Sequence, residues 1–310
     1  MRAETKSAVC GVCRAPVTRP YLDNVRDYQF GGIDWTGSIM GCNACGLLQQ
    51  APMPTREEAL ALYPENYTHY NFEPSRLRTM LMRLFFRDLI GLFHKLGARR
   101  SHRLLDLGCG CGEKAAFLRD RLKLDVTGLE PNSAAAERSR TVFKVDTIND
   151  FFPTKAIQPK SFDFIYFNHV IEHVPEPVQL LNAISDALKP GGWLIGETEN
   201  ITCPSARLFG RYWSLCHVPF HLYFFSPGTL RGTFNASSLK NPTLSSVWDP
   251  SVIVLSLQNV MRRNKSPDEI TNVRVFGYML WMLLTAPLAI LERNNGPVIR
   301  FWVQKSQSAR

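Results

Sequence analysis

The order of hydrophobic and polar residues divides the chain into regions with different patterns. In its second half, short apolar runs alternate with stretches that repeat apolar residues at helical spacing. The runs typical of buried strands are RLLDL (103–107), DVTGLE (125–130), FDFIYF (162–167) and WLIGET (193–198). Strands that alternate with helices predict an α/β fold, in which a largely parallel sheet is covered by helices on both faces. A last apolar run, VIRFWV (298–303), follows a turn and is expected at a sheet edge.

A helical pattern precedes this alternation. Thr55 is followed three residues later by Glu58, which suits a capping box at a helix start. Residues 75–96 then place nine large apolar side chains on one broad helical face: Leu77, Met80, Leu81, Leu84, Phe85, Leu89, Leu92, Phe93 and Leu96. The same stretch carries four arginines and could contact a membrane surface, but helices of this kind more often cover a core. Residues 276–291 are also apolar, yet they fall short of the roughly 20 residues that span a bilayer and include Pro287.

The N-terminal region is marked by cysteines. Cys10 and Cys13 form one Cys-x-x-Cys pair, and Cys42 and Cys45 form a second. Four thiolates in two such pairs favour a tetrahedral structural zinc site, while two redox pairs or four free thiols are the alternatives. Because a four-thiolate site leaves no open coordination position, we expect no catalytic role for this metal. Zinc binding would order a zinc-ribbon-like module too small to fold alone.

Composition adds little to this picture. The 310 residues carry a formal charge of +9, and the isoelectric point is about 9.2. This charge is compatible with an anionic substrate, a nucleic acid or a membrane surface, and it selects none of them. The first nine residues contain no apolar segment like that of a signal peptide, so a cytoplasmic location is expected.

The sequence LLDLGCGCG (104–112) carries the main chemical signal. An apolar strand reaches Asp106 and is followed by Gly108, Gly110 and Gly112, which permit left-handed backbone and close approach to a ligand. An acid at this position would repel a dinucleotide's pyrophosphate, whereas it would attract the cationic groups of S-adenosylmethionine. Glu130 ends the next predicted strand, where an acid can accept hydrogen bonds from both ribose hydroxyls.

These residues resemble the class I S-adenosylmethionine-dependent methyltransferases over roughly residues 100–240. The resemblance implies a Rossmann-like, seven-stranded sheet with an antiparallel last hairpin that VIRFWV could complete. The patterns along the chain divide it into a zinc module (1–52), a helical connector (53–100) and a cofactor-binding domain (101–310). The cofactor-binding residues that the resemblance implies are Asp106, Gly108, Gly110, Gly112, Glu130, Pro131, Asp146 and Asn168. Asp146 is assigned to the end of the third strand, as a contact of the adenine amine.

The same resemblance narrows the reaction. Members that methylate exocyclic amines of bases or amide groups have an Asn or Asp followed by Pro-Pro and an aromatic residue after strand four, whereas this chain reads Asn168-His-Val-Ile. Oxygen or carbon acceptors are therefore favoured. The turn Ile171-Glu-His173 recurs in small-molecule methyltransferases acting on quinones and sugars.

A zinc module ahead of the cofactor domain further resembles sugar C-methyltransferases and related enzymes of polysaccharide pathways. These enzymes often carry a histidine before a Tyr-Phe-Ser segment, and His221 occupies the matching place here. The family's Glu before that histidine is replaced by Phe220, which weakens the case for carbon methylation. His221 and His173 are the candidate catalytic residues, because histidine transfers protons near neutral pH.

The leading hypothesis is methyl transfer from S-adenosylmethionine to an oxygen or carbon of a small acceptor, such as a sugar or a nucleotide-sugar or glycan intermediate. One alternative is an RNA methyltransferase that binds the RNA phosphate backbone through the zinc module. It is disfavoured because the arginines of residues 1–50 are sparse. A quinone-type O-methyltransferase and a non-catalytic protein that has kept the fold are the others. The oligomeric state and a peripheral membrane contact stay open.

Overall fold

The computed structural model describes residues 9–29, 35–54, 58, 76–265, 292 and 294–307. The chain divides into two compact units. The first unit comprises Met1–Tyr63, Ile171–Val178 and Glu197–Phe301. The second comprises Pro64–Val170, Gln179–Gly196 and Trp302–Arg310.

A seven-stranded sheet confirms the predicted α/β fold. Its strands are β4 (Arg103–Leu107), β5 (Asp125–Leu129), β6 (Asp146–Ile148), β7 (Phe162–Asn168), β8 (Leu188–Glu199), β10 (Thr243–Val247) and β11 (Val298–Gln304). Their order is β10-β11-β8-β7-β4-β5-β6, with parallel pairing of β4 to β5 and β7 and of β5 to β6. The number of strands is the one that the methyltransferase resemblance implies, and their order is that of methyltransferases.

The expected edge position of VIRFWV was wrong. Strand β11 lies between β8 and β10, and five of its seven side chains are buried. Its arginine, Arg300, is buried and paired with Glu197 on β8 at 2.6 Å (Nη2 to Oε1). Because the arginine has a carboxylate partner on the neighbouring strand, the run can lie inside the sheet.

Helices separate most of the predicted strands along the chain, as the sequence pattern indicated, and further helices precede and follow them. The helices are α1 (Arg76–Phe85), α2 (Arg87–Lys95), α3 (Glu113–Leu122), α4 (Ser133–Thr141), α5 (Pro177–Ala187), α6 (Pro204–Phe209), α7 (Pro227–Asn235) and α8 (Pro250–Met261). The single helix expected over residues 75–96 is thus two helices. Leu89, Leu92 and Phe93 of α2 join the core of the second unit, whereas Met80 and Leu84 of α1 are exposed.

The first unit contains a second, four-stranded sheet. Its strands are β1 (Val17–Arg26), β2 (Thr36–Cys42), β3 (Leu48–Ala51) and β9 (Tyr223–Phe224), in the order β1-β2-β3-β9. The last strand comes from much later in the chain, so the cysteine-bearing sheet is not built from the N-terminal residues alone. Val25, Ile39 and Leu48 of this sheet pack in one buried cluster with Trp213 and Phe224.

Two predictions fall outside the described residues: the capping box at Thr55 and the apolar segment 276–291. Among the helices that the structure describes, none has the length and apolar content to cross a bilayer.

Candidate active site

The glycine-rich loop follows β4 in the second unit. Gly108, Gly110 and Gly112 all have left-handed backbone, with φ of 73°, 54° and 84°. At Gly112 a Cβ would stand 2.1 Å from the Ser139 hydroxyl oxygen, so a side chain there would meet α4. The loop therefore needs glycine for its conformation and for its packing.

Asp106 is the buried acid beside this loop. Its side chain is 3% exposed, and its Oδ2 has no hydrogen-bond partner among the described residues. Burial raises the pKa of Asp106 to about 7, with Lys114 opposing the shift and Glu130 adding to it. A buried carboxylate oxygen without a partner is costly, and a bound ammonium group would satisfy it.

Glu130 directly follows β5 and is 4% exposed. Its Oε2 accepts from the Gly110 backbone N–H and its Oε1 from that of Asn132, both at 2.9 Å. Burial raises the pKa of Glu130, and these two N–H groups lower it. They fix the carboxylate against the glycine loop, and each oxygen has a further lone pair that can accept from a ribose hydroxyl.

The other predicted cofactor residues occupy different positions. Pro131 is exposed and follows Glu130, and Asn168 ends β7, where its Oδ1 lies 3.4 Å from the Tyr166 hydroxyl. Asp146 was placed wrongly at a strand end. It begins β6, pairs with Thr127 and is exposed, whereas the carboxyl end of this parallel strand is Ile148.

Two residues near the glycine loop were missed from the sequence. Lys114, in the first turn of α3, lies 3.4 Å from the Tyr166 hydroxyl through its Nζ and 4.7 Å from the centre of the Phe86 ring. Asn149 follows β6 and donates from Nδ2 to the backbone carbonyl of Glu130 at 2.8 Å. Lys114 follows Gly112 by two residues and could have been found from the sequence, whereas only the fold brings Asn149 to Glu130.

Three histidines gather in the first unit. The His173 and His221 rings meet edge to face with centres 4.6 Å apart, and the His217 ring lies 4.9 Å from that of His221. His221 is 3% exposed. The structure thus brings the two candidate catalytic residues, His173 and His221, together and adds His217.

Two buried acids accompany these histidines. Glu172 and Glu199 are fully buried, with carboxylate oxygens within 4.8 Å of each other. Burial raises the pKa of Glu199 well above its usual range, and the charge of Glu172 raises it further. The sequence motif Ile171-Glu-His173 pointed to the histidine, but nothing in it indicated that the glutamate meets a second acid.

The four N-terminal cysteines lie together, with sulfurs within 4.8 Å of one another. The Cys10 and Cys45 sulfurs are 3.7 Å apart, and those of Cys13 and Cys42 are 3.3 Å apart. Tetrahedral zinc with bonds of about 2.3 Å separates its sulfurs by about 3.8 Å, so this cluster fits the ion. Burial raises the pKa of Cys42, but hydrogen bonds from the backbone N–H groups of Cys45 and Ala44 and from the thiols of Cys13 and Cys45 together lower it to about 6.

Comparison with known proteins identifies the class. Residues 64–243, more than half of the chain, match the family model described as a methyltransferase domain. The chain therefore belongs to this methyltransferase family, and its fold and glycine loop are those of S-adenosylmethionine-dependent enzymes.

Several sequence relatives carry the name ubiquinone biosynthesis O-methyltransferase, and two of them illustrate the match. The protein of Saccharophagus degradans is 33% identical over 113 residues, which are 34% of this chain and 47% of that protein. The protein of Xanthomonas campestris pv. campestris (strain B100) is 33% identical over 109 residues, which are 32% of this chain and 44% of that protein. The match thus spans about half the length of these curated relatives.

Solved structures agree on the fold. Phosphoethanolamine N-methyltransferase 2 of Haemonchus contortus aligns with a TM-score of 0.53 at 15% identity, over 84% of this chain and 62% of that one. A chain from the complex between the Haloferax volcanii Trm112 methyltransferase activator and a methyltransferase aligns with a TM-score of 0.51 at 15% identity, over 74% and 95%.

Proposed function

We propose that the protein transfers the methyl group of S-adenosylmethionine to an oxygen or carbon atom of a small molecule. The observation that carries this proposal is the buried Asp106 carboxylate beside three left-handed glycines. Asp106 would accept from the cofactor's ammonium group, and Glu130 would accept from the ribose hydroxyls. Asn168 and Pro131 would complete the walls at the ends of β7 and β5. Bound S-adenosylmethionine supplies the electrophilic methyl group.

His173 and His221 are the proposed acceptor-side residues. Their proximity supports a shared role in removing the acceptor's proton, a step that oxygen and carbon methylation both need. The rest of the contribution is orientation, because a methyl transfer needs the acceptor atom in line with the departing sulfur.

The acceptor that we favour is a sugar or a nucleotide-sugar or glycan intermediate. The four-cysteine module and the place of His221 support it, since both features resemble sugar methyltransferases. The cysteines are proposed to hold a structural zinc ion, which would stabilise the sheet that carries them.

A ring hydroxyl of a quinone precursor is the second candidate acceptor. It is favoured by the ubiquinone biosynthesis O-methyltransferases among the relatives. An RNA acceptor gains no support from two of the three described arginines of the module. Arg26 donates to the backbone carbonyls of Arg263 and Lys265, and Arg14 lies 3.6 Å from Glu176.

The test is methyl transfer from labelled S-adenosylmethionine to a panel of nucleotide sugars, glycan intermediates, quinone precursors and RNA, with mass measurement of each product. We expect one nucleotide sugar or glycan intermediate to gain a single methyl group. Transfer only to a quinone precursor would select the second candidate. Labelling of RNA alone would contradict both.

A further inference from the structure

The histidine cluster in the first unit has the composition of a metal site. One potential ligand atom from each of Glu172, His173 and His221 lies within 4.8 Å of the other two. Glu172 is fully buried and His221 is 3% exposed. One carboxylate and two imidazoles form a donor set that suits divalent transition-metal ions. These residues are distinct from the four cysteines of the N-terminal module.

Hydrogen bonds to the backbone set the ring tautomers. His173 Nδ1 lies 2.9 Å from the Phe220 carbonyl oxygen, and His221 Nδ1 lies 3.0 Å from that of Leu215. A carbonyl oxygen can only accept, so each Nδ1 carries the hydrogen and each Nε2 of the neutral ring carries the lone pair. Metal-binding histidines in proteins are oriented in the same way, through their second ring nitrogen.

The position of His217 suggests an alternative to metal binding. Its Nδ1 lies 3.4 Å from His221 Nε2, so the two rings could instead form a hydrogen-bonded proton-transfer pair. That separation is longer than the usual range of about 2.7–3.2 Å, and a ring at this distance could also turn toward a shared ion. The His217 backbone is left-handed, with φ of 26°, which is uncommon for a residue other than glycine.

Charge also favours a cation. The Glu172 carboxylate lies within 4.8 Å of that of Glu199, and both residues are fully buried. Two carboxyl groups this close and this deeply buried are costly when ionised, and a divalent ion bound to one of them would offset that cost.

We propose that Glu172, His173 and His221 bind a divalent transition-metal ion. Three protein ligands leave at least one coordination position for an acceptor oxygen. A hydroxyl bound to such an ion releases its proton to water more readily, so His173 and His221 would promote deprotonation as metal ligands instead of accepting the proton themselves. This role rests on the proposed methyl transfer, whereas metal binding itself does not.

The test uses Co²⁺ as the probe. The protein is treated with a weak chelator that leaves zinc in the four-cysteine site, and Co²⁺ is then titrated while visible absorption is recorded. We expect one equivalent to bind with weak ligand-field bands and without a thiolate charge-transfer band. His221→Gln and, separately, Glu172→Gln should weaken this binding at least tenfold, and His94→Gln, an exposed histidine on α2, should leave it unchanged.

Calorimetry with S-adenosylmethionine checks that each variant is folded and separates the two proposals. Retained cofactor binding together with lost Co²⁺ binding supports the metal site. The proposal is overturned if wild-type protein binds no Co²⁺ beyond the cysteine site, or if both ligand variants bind it as tightly as His94→Gln. Absent cofactor binding in the wild-type protein would instead refute the proposed function.

Discussion

Replacing Asp106 by Asn should weaken cofactor binding and at the same time stabilise the cofactor-free protein. The variant keeps the side-chain shape but removes the charge that we assign to the ammonium group of S-adenosylmethionine. Hydrogen bonds to charged groups contribute about 1.5–3 kcal/mol, which corresponds to a 10- to 150-fold loss of affinity. Calorimetric titration at pH 7.5 would measure this loss.

The stability change follows from the pKa of the same residue. A rise in the pKa of Asp106 from the ordinary 3.8 to about 7 means that the folded protein destabilises the ionised carboxylate by about 4 kcal/mol. The free energy of unfolding therefore falls as pH increases from about 4 to 7, because the carboxyl of the folded protein keeps its proton to a higher pH than that of the unfolded chain. Asp106→Asn should therefore unfold at a higher temperature than wild type at pH 8, with the difference vanishing near pH 4.

Cofactor affinity should also depend on pH in the wild type alone. As pH rises from 5.5 to 7.5, Asp106 loses its proton, and the affinity should increase up to about tenfold per pH unit below the pKa. Asp106→Asn should show a flat profile in this range. The matched control is Asp120→Asn, an exposed acid on α3, which should leave affinity and stability unchanged. Equal affinity of Asp106→Asn and wild type would refute the assigned role.

Three further predictions concern the loop, the ribose site and the cysteines. Gly112→Ala should destabilise the fold by about 1–3 kcal/mol in denaturant unfolding, because the added Cβ would clash with Ser139. The control Gly91→Ala, on the open face of α2, should be neutral or stabilising. A Gly112 variant as stable as the Gly91 variant would contradict the packing argument. Glu130→Gln should weaken S-adenosylmethionine binding about tenfold in calorimetry, and unchanged affinity would remove the ribose assignment. Cys42→Ser should abolish bound zinc in metal analysis and lower the melting temperature, while Cys216→Ser should keep the zinc; zinc retained by Cys42→Ser would exclude the four-cysteine site.

Much of the sheet could be predicted because its strands are continuous apolar runs. The predicted strands at 103–107, 125–130 and 162–167 match β4, β5 and β7 within one residue at each end. The hydrophobic pattern gave the wrong place in the sheet for VIRFWV, because that place depends on a pairing between side chains of neighbouring strands. VIRFWV contains Arg300, and only the structure reveals the Glu197 partner that allows an arginine inside the sheet.

The candidate site was predictable where its residues are close in sequence. Asp106 and the three glycines lie within seven positions, so their arrangement follows from one strand and one turn. Asp146 was misplaced because β6 has only three residues, which is too short for its ends to be read from hydrophobicity. The Glu172, His173 and His221 cluster joins residues about fifty positions apart, and no local pattern reveals that kind of contact.

The central claim is that the crevice after β4 and β5 recognises an adenosyl sulfonium compound. Side-by-side calorimetry of the wild-type protein with S-adenosylmethionine and with NAD⁺ tests it most directly. The account predicts saturable, one-to-one binding of S-adenosylmethionine and no binding of NAD⁺. Binding of NAD⁺ without binding of S-adenosylmethionine would contradict it.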